Sequence, residues 1–237
     1  MVLDFQSTLM HKSNMPSIVP VLTIDGPSGS GKGTVSRAVA RELGWHFLDS
    51  GAIYRSLAIA VTRAQIPFED EQRIADLGLA MDLTFSSDDP PKVYLSGEDI
   101  AGEIGLETTG NAASRVAQIG LVRRALLDKQ QSFRQAPGLV ADGRDMGTVV
   151  FKDAAHKVFL TASAEVRALR RLKQLKDKGL DVNLDGLTRE IEERDRRDRE
   201  RAEAPLIVAE GALHIDSSNL PIPEVIRQVL DWVRRDA

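Results

Sequence analysis

Apolar positions along this chain follow two rhythms, short continuous runs and runs spaced three or four apart, and the two alternate. The first run, Val19-Pro20-Val21-Leu22-Thr23-Ile24, has the length of a buried strand. Val35, Val39 and Leu43 then recur at helical spacing, with Gly44 as a stop. Trp45-His46-Phe47-Leu48 reads as a second strand, and Ile53, Leu57, Ala58 and Val61 predict a helix from about Ala52. Ile74 and Leu77 place another helix over 71–81. After Met81 the pattern changes: Leu83-Thr84-Phe85 and Lys92-Val93-Tyr94-Leu95 predict two short strands around Asp88-Asp89-Pro90-Pro91. Ser96-Gly97-Glu98-Asp99 supplies a second turn, and 100–104 a third strand. From Asn111 a long helix carries Val116, Ile119, Val122, Leu126, Leu127 and Phe133, and it stops before Pro137-Gly138. Strands over 139–141, 156–160 and 212–216 and helices over 164–178, 184–201 and 222–235 complete the chain. Strands alternating with helices predict an α/β fold, a mainly parallel sheet flanked by helices, with the antiparallel patch as an insertion.

The segment after the first strand changes the picture. Asp25-Gly26-Pro27-Ser28-Gly29-Ser30-Gly31-Lys32-Gly33-Thr34 joins that strand to a helix, the context in which a phosphate-binding loop is credible. Its glycines let successive backbone N–H groups point into one concavity, and the helix dipole adds positive potential there. Lys32 brings a mobile charge for the outer phosphates, and Thr34 offers a hydroxyl to a phosphate oxygen or to a metal's shell. One departure stands out: Gly33 occupies the place after the lysine where Ser or Thr is usual.

Composition narrows the class. The chain has 237 residues, 42% hydrophobic and 28% charged, as expected of one globular α/β domain with insertions. No cysteine is present, which excludes disulfides and thiolate metal sites and fits a cytoplasmic protein. Residues 1–17 lack an apolar signal core and read as a flexible leader. A net charge of −4 gives no global attraction to nucleic acid, and no apolar run approaches a membrane span. Nothing demands more than a monomer.

In open α/β sheets ligands gather at the carboxyl ends of strands, where this sequence places Asp25, Asp49-Ser50-Gly51 and Asp142-Gly143-Arg144-Asp145. Asp142 suits magnesium held through water, and Arg144 suits a second anion through its forked guanidinium. In the charged stretch around 189–203, Arg194, Arg197 or Asp198, and Arg201 share one helical face. Alone, such a run is a solvated face; beside a phosphate loop it becomes a set of cations able to close over a phosphoryl group. His11, His46, His156 and His214 are scattered and form no catalytic or metal set.

The phosphate loop resembles that of nucleoside monophosphate kinases. The segments 48–55, 111–114, 141–149 and 193–198 resemble bacterial cytidylate kinases specifically, collinearly from about Ile18 to the end. The resemblance implies a P-loop kinase that moves the γ-phosphoryl group of ATP to CMP or dCMP with Mg2+. It also implies a core (about 18–80, 105–178 and 206–237), an inserted small sheet in the monophosphate-binding region (about 81–104) and a lid (about 179–205). By matching positions, Ser114, Arg123 and Asp145 would address cytosine. Ser50, Tyr54, Arg55, Asp142 and Arg144 would hold the acceptor side, and Arg194, Asp198 and Arg201 would contact sugar and phosphates. The rival classes are a kinase for AMP, UMP or a metabolite alcohol, and a guanine-nucleotide switch. The switch would need an Asn-Lys-x-Asp motif that the chain does not have.

Overall fold

Apolar runs of four to six residues become the parallel strands of one sheet, and the helically spaced segments cover its two faces. A computed structural model describes residues 19–86, 88, 92–177, 179 and 182–235. The predicted leader with His11, the turn residues Asp89, Pro90 and Pro91, and Lys178 at the end of the helix predicted over 164–178 lie outside the described residues. In chain order the elements are β1 (Val21–Asp25), α1 (Lys32–Leu43), β2 (His46–Asp49), α2 (Ser50–Arg63), α3 (Glu71–Ala80), β3 (Leu83–Phe85), β4 (Val93–Leu95) and β5 (Glu98–Asp99). There follow α4 (Ala101–Ile104), α5 (Glu107–Val116), α6 (Gly120–Gln131), β6 (Leu139–Gly143), a π-helical turn (Met146–Val150), β7 (His156–Thr161), α7 (Ala164–Lys176), α8 (Leu184–Glu200), β8 (Leu213–Asp216) and α9 (Ile222–Arg234).

The main sheet runs β2-β6-β1-β7-β8 with every pairing parallel. Leu22 and Ile24 of β1 pack with Val35 and Val39 of α1 and Val225 and Val229 of α9 on one face. Val21, Leu139 and Ala141 pack on the other with Ile53 and Leu57 of α2, Ile74 of α3 and Leu126 of α6. Burying a Leu or Ile side chain contributes about 1.5–3 kcal/mol, so these two layers hold the sheet between them. The register sets Ile24 beside Asp142 and Asp25 beside Gly143, while Asp49 also pairs with Asp142. Three strand ends therefore open on one crevice, where the strand order reverses around β1 and β6.

The insertion is a small antiparallel sheet in the order β3-β4-β5, and two expectations need correction there. Residues 100–104 form no strand: Glu98–Asp99 is the third strand, and α4 follows it. Ile100 and Ile104 are four apart, the spacing of a helical turn, and Ile104 N–H bonds the Ile100 carbonyl at 2.9 Å. The long helix from Asn111 is two helices, with the chain turning at 117–119 between α5 and α6. Val116, Ile119 and Val122 are buried on both sides of the break, so the apolar pattern runs through it unchanged. Arg123 donates to the Ala117 carbonyl at the break, at 3.3 Å.

Candidate active site

The phosphate loop begins where β1 ends, and its first residue has no room for a side chain. A Cβ on Gly26 would lie 2.0 Å from the Leu160 carbonyl oxygen of β7, so the loop can leave the sheet here only through glycine. The loop's carbonyls are held from outside. Arg167 of α7 donates to the Ser28 carbonyl at 3.0 Å, Arg170 to that of Ser30 at 3.3 Å, and Ser217 Oγ also to Ser30 at 3.0 Å. Lys32, the first residue of α1, donates to the Pro27 carbonyl at 3.1 Å.

A cavity of about 630 Å³ lies over the loop. Ser28, Gly29, Ser30, Gly31, Lys32, Gly33 and Thr34 line it on one side. Ser50, Tyr54, Arg55, Ser114, Arg123, Asp142, Arg144, Asp145, Arg194, Asp198 and Arg201 line the rest. Of the residues singled out in the sequence, Asp25, Gly26, Pro27 and Arg197 stay outside the lining, and Arg197 donates instead to Asn111 Oδ1 at 3.1 Å. His46, His156 and His214 are not among the lining residues either.

Cations are crowded here at a cost. Burial and the Arg144 guanidinium push the Lys32 ammonium down to about 7, against the pull of Asp142, whose Oδ1 lies 4.0 Å away. Burial and Arg144 push the Arg194 guanidinium down to about 10. Burial pulls Arg144 down as well, but Asp198, which accepts from its Nε at 2.9 Å, outweighs this and raises it. Burial lifts the Asp142 carboxyl to about 6, with Asp49 adding to the rise and Lys32 opposing it. Like charges gathered out of water in this way match a polyanion that would pair with them.

Within the same cavity, Asp145 accepts from Arg123 of α6 and, at 3.5 Å, from Arg201 at the end of α8. Arg123 also lies 5.7 Å from the centre of the Tyr54 ring. Ser114 Oγ of α5 is buried and has no hydrogen-bond partner among the described residues. A carboxylate, a guanidinium and an unpartnered hydroxyl thus line the same cavity as the phosphate loop. Sequence reasoning missed Arg167, Arg170 and Ser217. Arg167 gave one hint, since it flanks the Ala168-Leu172-Leu175 stripe of α7.

A glycine-rich loop and crowded cations at the carboxyl edge of a parallel sheet with this strand order are what phosphoryl transfer requires. The match to the family is direct: the cytidylate kinase profile covers residues 22–235, and the chain belongs to the cytidylate kinase family. It is 60% identical to a cytidylate kinase of Methylococcus capsulatus over 220 residues, 93% of this chain and 99% of that one. It is 54% identical to a cytidylate kinase of Edwardsiella ictaluri over 222 residues, 93% of this chain and 99% of that one.

Proposed function

We propose that the protein transfers the γ-phosphoryl group of ATP to CMP or dCMP, giving ADP and CDP or dCDP. The supporting observation is that the Arg123–Asp145 pair and the unpartnered Ser114 Oγ line the same cavity as the phosphate loop. Cytosine presents an amine donor and two acceptors. Asp145 accepts from the amine, and Arg123 and Ser114 donate to the ring nitrogen and carbonyl. Uracil would turn a carbonyl toward the carboxylate and leave buried groups unpaired. The donor's phosphates lie on the loop amides and Lys32, and Leu160, Leu220, Ile222 and Val225 give the donor base an apolar wall. Ser50, Tyr54, Arg55 and Arg144 hold the acceptor phosphate, with Arg194, Asp198 and Arg201 descending from α8.

The attacking oxygen belongs to a phosphate that is already anionic, so no general base takes part. Catalysis is in-line alignment with neutralisation of charge by Lys32, Arg144, Arg194 and Arg201. A magnesium ion suits the site. No group of three or more acidic, histidine or cysteine side chains that could cage a metal occurs among the described residues, while one buried carboxylate, Asp142, faces the loop. That combination fits an ion that keeps its waters and is shared with phosphates. Asp142, through water, and the Thr34 hydroxyl would hold it, and when bound it would neutralise charge between the donor phosphates. An ADP-release assay over a panel of acceptors tests the reading: CMP and dCMP should exceed UMP and AMP by orders of magnitude. Equal rates on all four would overturn it.

A further inference from the structure

Asp25 ends β1 immediately before the phosphate loop, and no role above uses it. It is 3% exposed, and both of its oxygens are engaged far along the chain. Met146 N–H donates to Oδ1 at 2.9 Å and Gly147 N–H to Oδ2 at 2.8 Å. These amides open the π-helical turn Met146–Val150, where no earlier turn exists to accept them. Later amides are satisfied within the turn: Val149 N–H bonds the Asp145 carbonyl at 2.9 Å and Phe151 N–H bonds the Met146 carbonyl at 2.7 Å. The carboxylate therefore caps the turn from across the sheet. Two residues back on β1, Thr23 presses on the same turn, since a Cβ on Gly147 would lie 2.8 Å from Thr23 Oγ1. Single-turn π-helices are rare and gather at functional sites, and this one starts beside Asp145.

We propose that Asp25 is a positioning residue for Asp145: by holding the two amides that follow it, Asp25 fixes the base-reading carboxylate relative to the phosphate loop. The inference rests on the reading that Asp145 addresses the acceptor base. It assigns part of the nucleobase preference to a residue that never touches the base. Only a carboxylate offers two acceptors in this geometry. Asparagine would keep one bond and turn its own N–H toward the other amide. Burial lifts the Asp25 carboxyl to about 7 while the Gly147 and Met146 amides pull it back, so its ionised form depends on those two bonds.

The test is the CMP-to-UMP ratio of kcat/KM in wild type, Asp25→Asn, Asp145→Asn and the double variant, with folding checked by circular dichroism. A disordered phosphate loop would lower both rates together, whereas a displaced Asp145 lowers the ratio. Asp25→Asn should reduce the ratio about tenfold, as expected for one charge-assisted hydrogen bond lost. The double variant should be no less selective than Asp145→Asn alone, because one residue acts through the other. An unchanged ratio in Asp25→Asn beside a lowered ratio in Asp145→Asn would overturn the inference while leaving base reading intact. So would losses that multiply in the double variant. An unchanged ratio in Asp145→Asn would instead remove the base-reading role and this inference with it. Wild-type hydrogen exchange gives an answer that needs no variant to fold. The Met146 and Gly147 amides should exchange as slowly as those of β1, and exchange at loop rates would contradict the cap.

Discussion

Burial and Arg144 together hold the Lys32 ammonium near 7, far below its usual range, so the free protein carries this charge reluctantly. In the folded chain the proton is given up by about pH 7, while the unfolded chain keeps it to the usual lysine value of 10.5. Stability from this group accordingly rises with pH through that window. A triphosphate on the loop reverses the balance. Nucleotide binding at pH 8 should take up close to one proton, read by calorimetry in buffers of different ionisation enthalpy, and Lys32→Met should abolish the uptake. Binding without proton exchange would contradict a Lys32–phosphate contact. Asp145 gives the second residue-scale expectation. Asp145→Ala should lower kcat/KM for CMP by about two orders of magnitude or more and for UMP much less. Equal losses would exclude base reading by this side chain.

The two faces of α8 do different things. Asp195 points into the core, where Arg167 grips both of its oxygens, Nη1 to Oδ1 at 3.0 Å, while also donating to the Ser28 carbonyl. One guanidinium thus ties α8 to the phosphate loop. Asp195→Ala would leave that cation buried and unpaired, and it should destabilise the fold by about 3–5 kcal/mol in urea unfolding. A loss below about 1 kcal/mol would mean that the pair does not anchor α8. Arg194 and Arg201 face the cavity, and replacing either with Ala should lower kcat by about tenfold to a hundredfold and raise ATP hydrolysis without acceptor. An unchanged kcat would leave the two arginines a structural role only. The element borders were legible where caps and punctuation are local, as at Gly44, at Asp49, which caps α2 through Ala52, and at Asn183, which caps α8. They were not legible where distant groups decide. The turn at 117–119 keeps an unbroken apolar pattern, and the π-helical turn depends on a carboxylate 121 positions earlier. The third strand was misplaced because Glu98 and Asp99 are both exposed and show no alternation.

Across the whole molecule, a net charge of −4 coexists with a crevice lined by arginines and a lysine. Affinity for anions is therefore local, set by where the sheet points its strand ends rather than by the overall field. Among the described residues, no helix is long and apolar enough to cross a membrane. The α/β fold and the phosphate-loop side of the cavity could be read from one glycine-rich loop and the polar strand ends at 49–51 and 142–145, because parallel strands must bring those ends together. Tyr54, Arg55, Ser114 and Arg123 were reached only through the resemblance. The carbonyl clamps from Arg167, Arg170 and Ser217 could not be read, since they depend on how α7 and the turn after β8 pack behind the loop. Label transfer follows the phosphoryl group to its destination. With γ-labelled ATP and an equimolar mixture of CMP, UMP and AMP, label should appear almost wholly in CDP, matched one to one by ADP. Label shared evenly among the three diphosphates, held on the protein, or released as phosphate would contradict it.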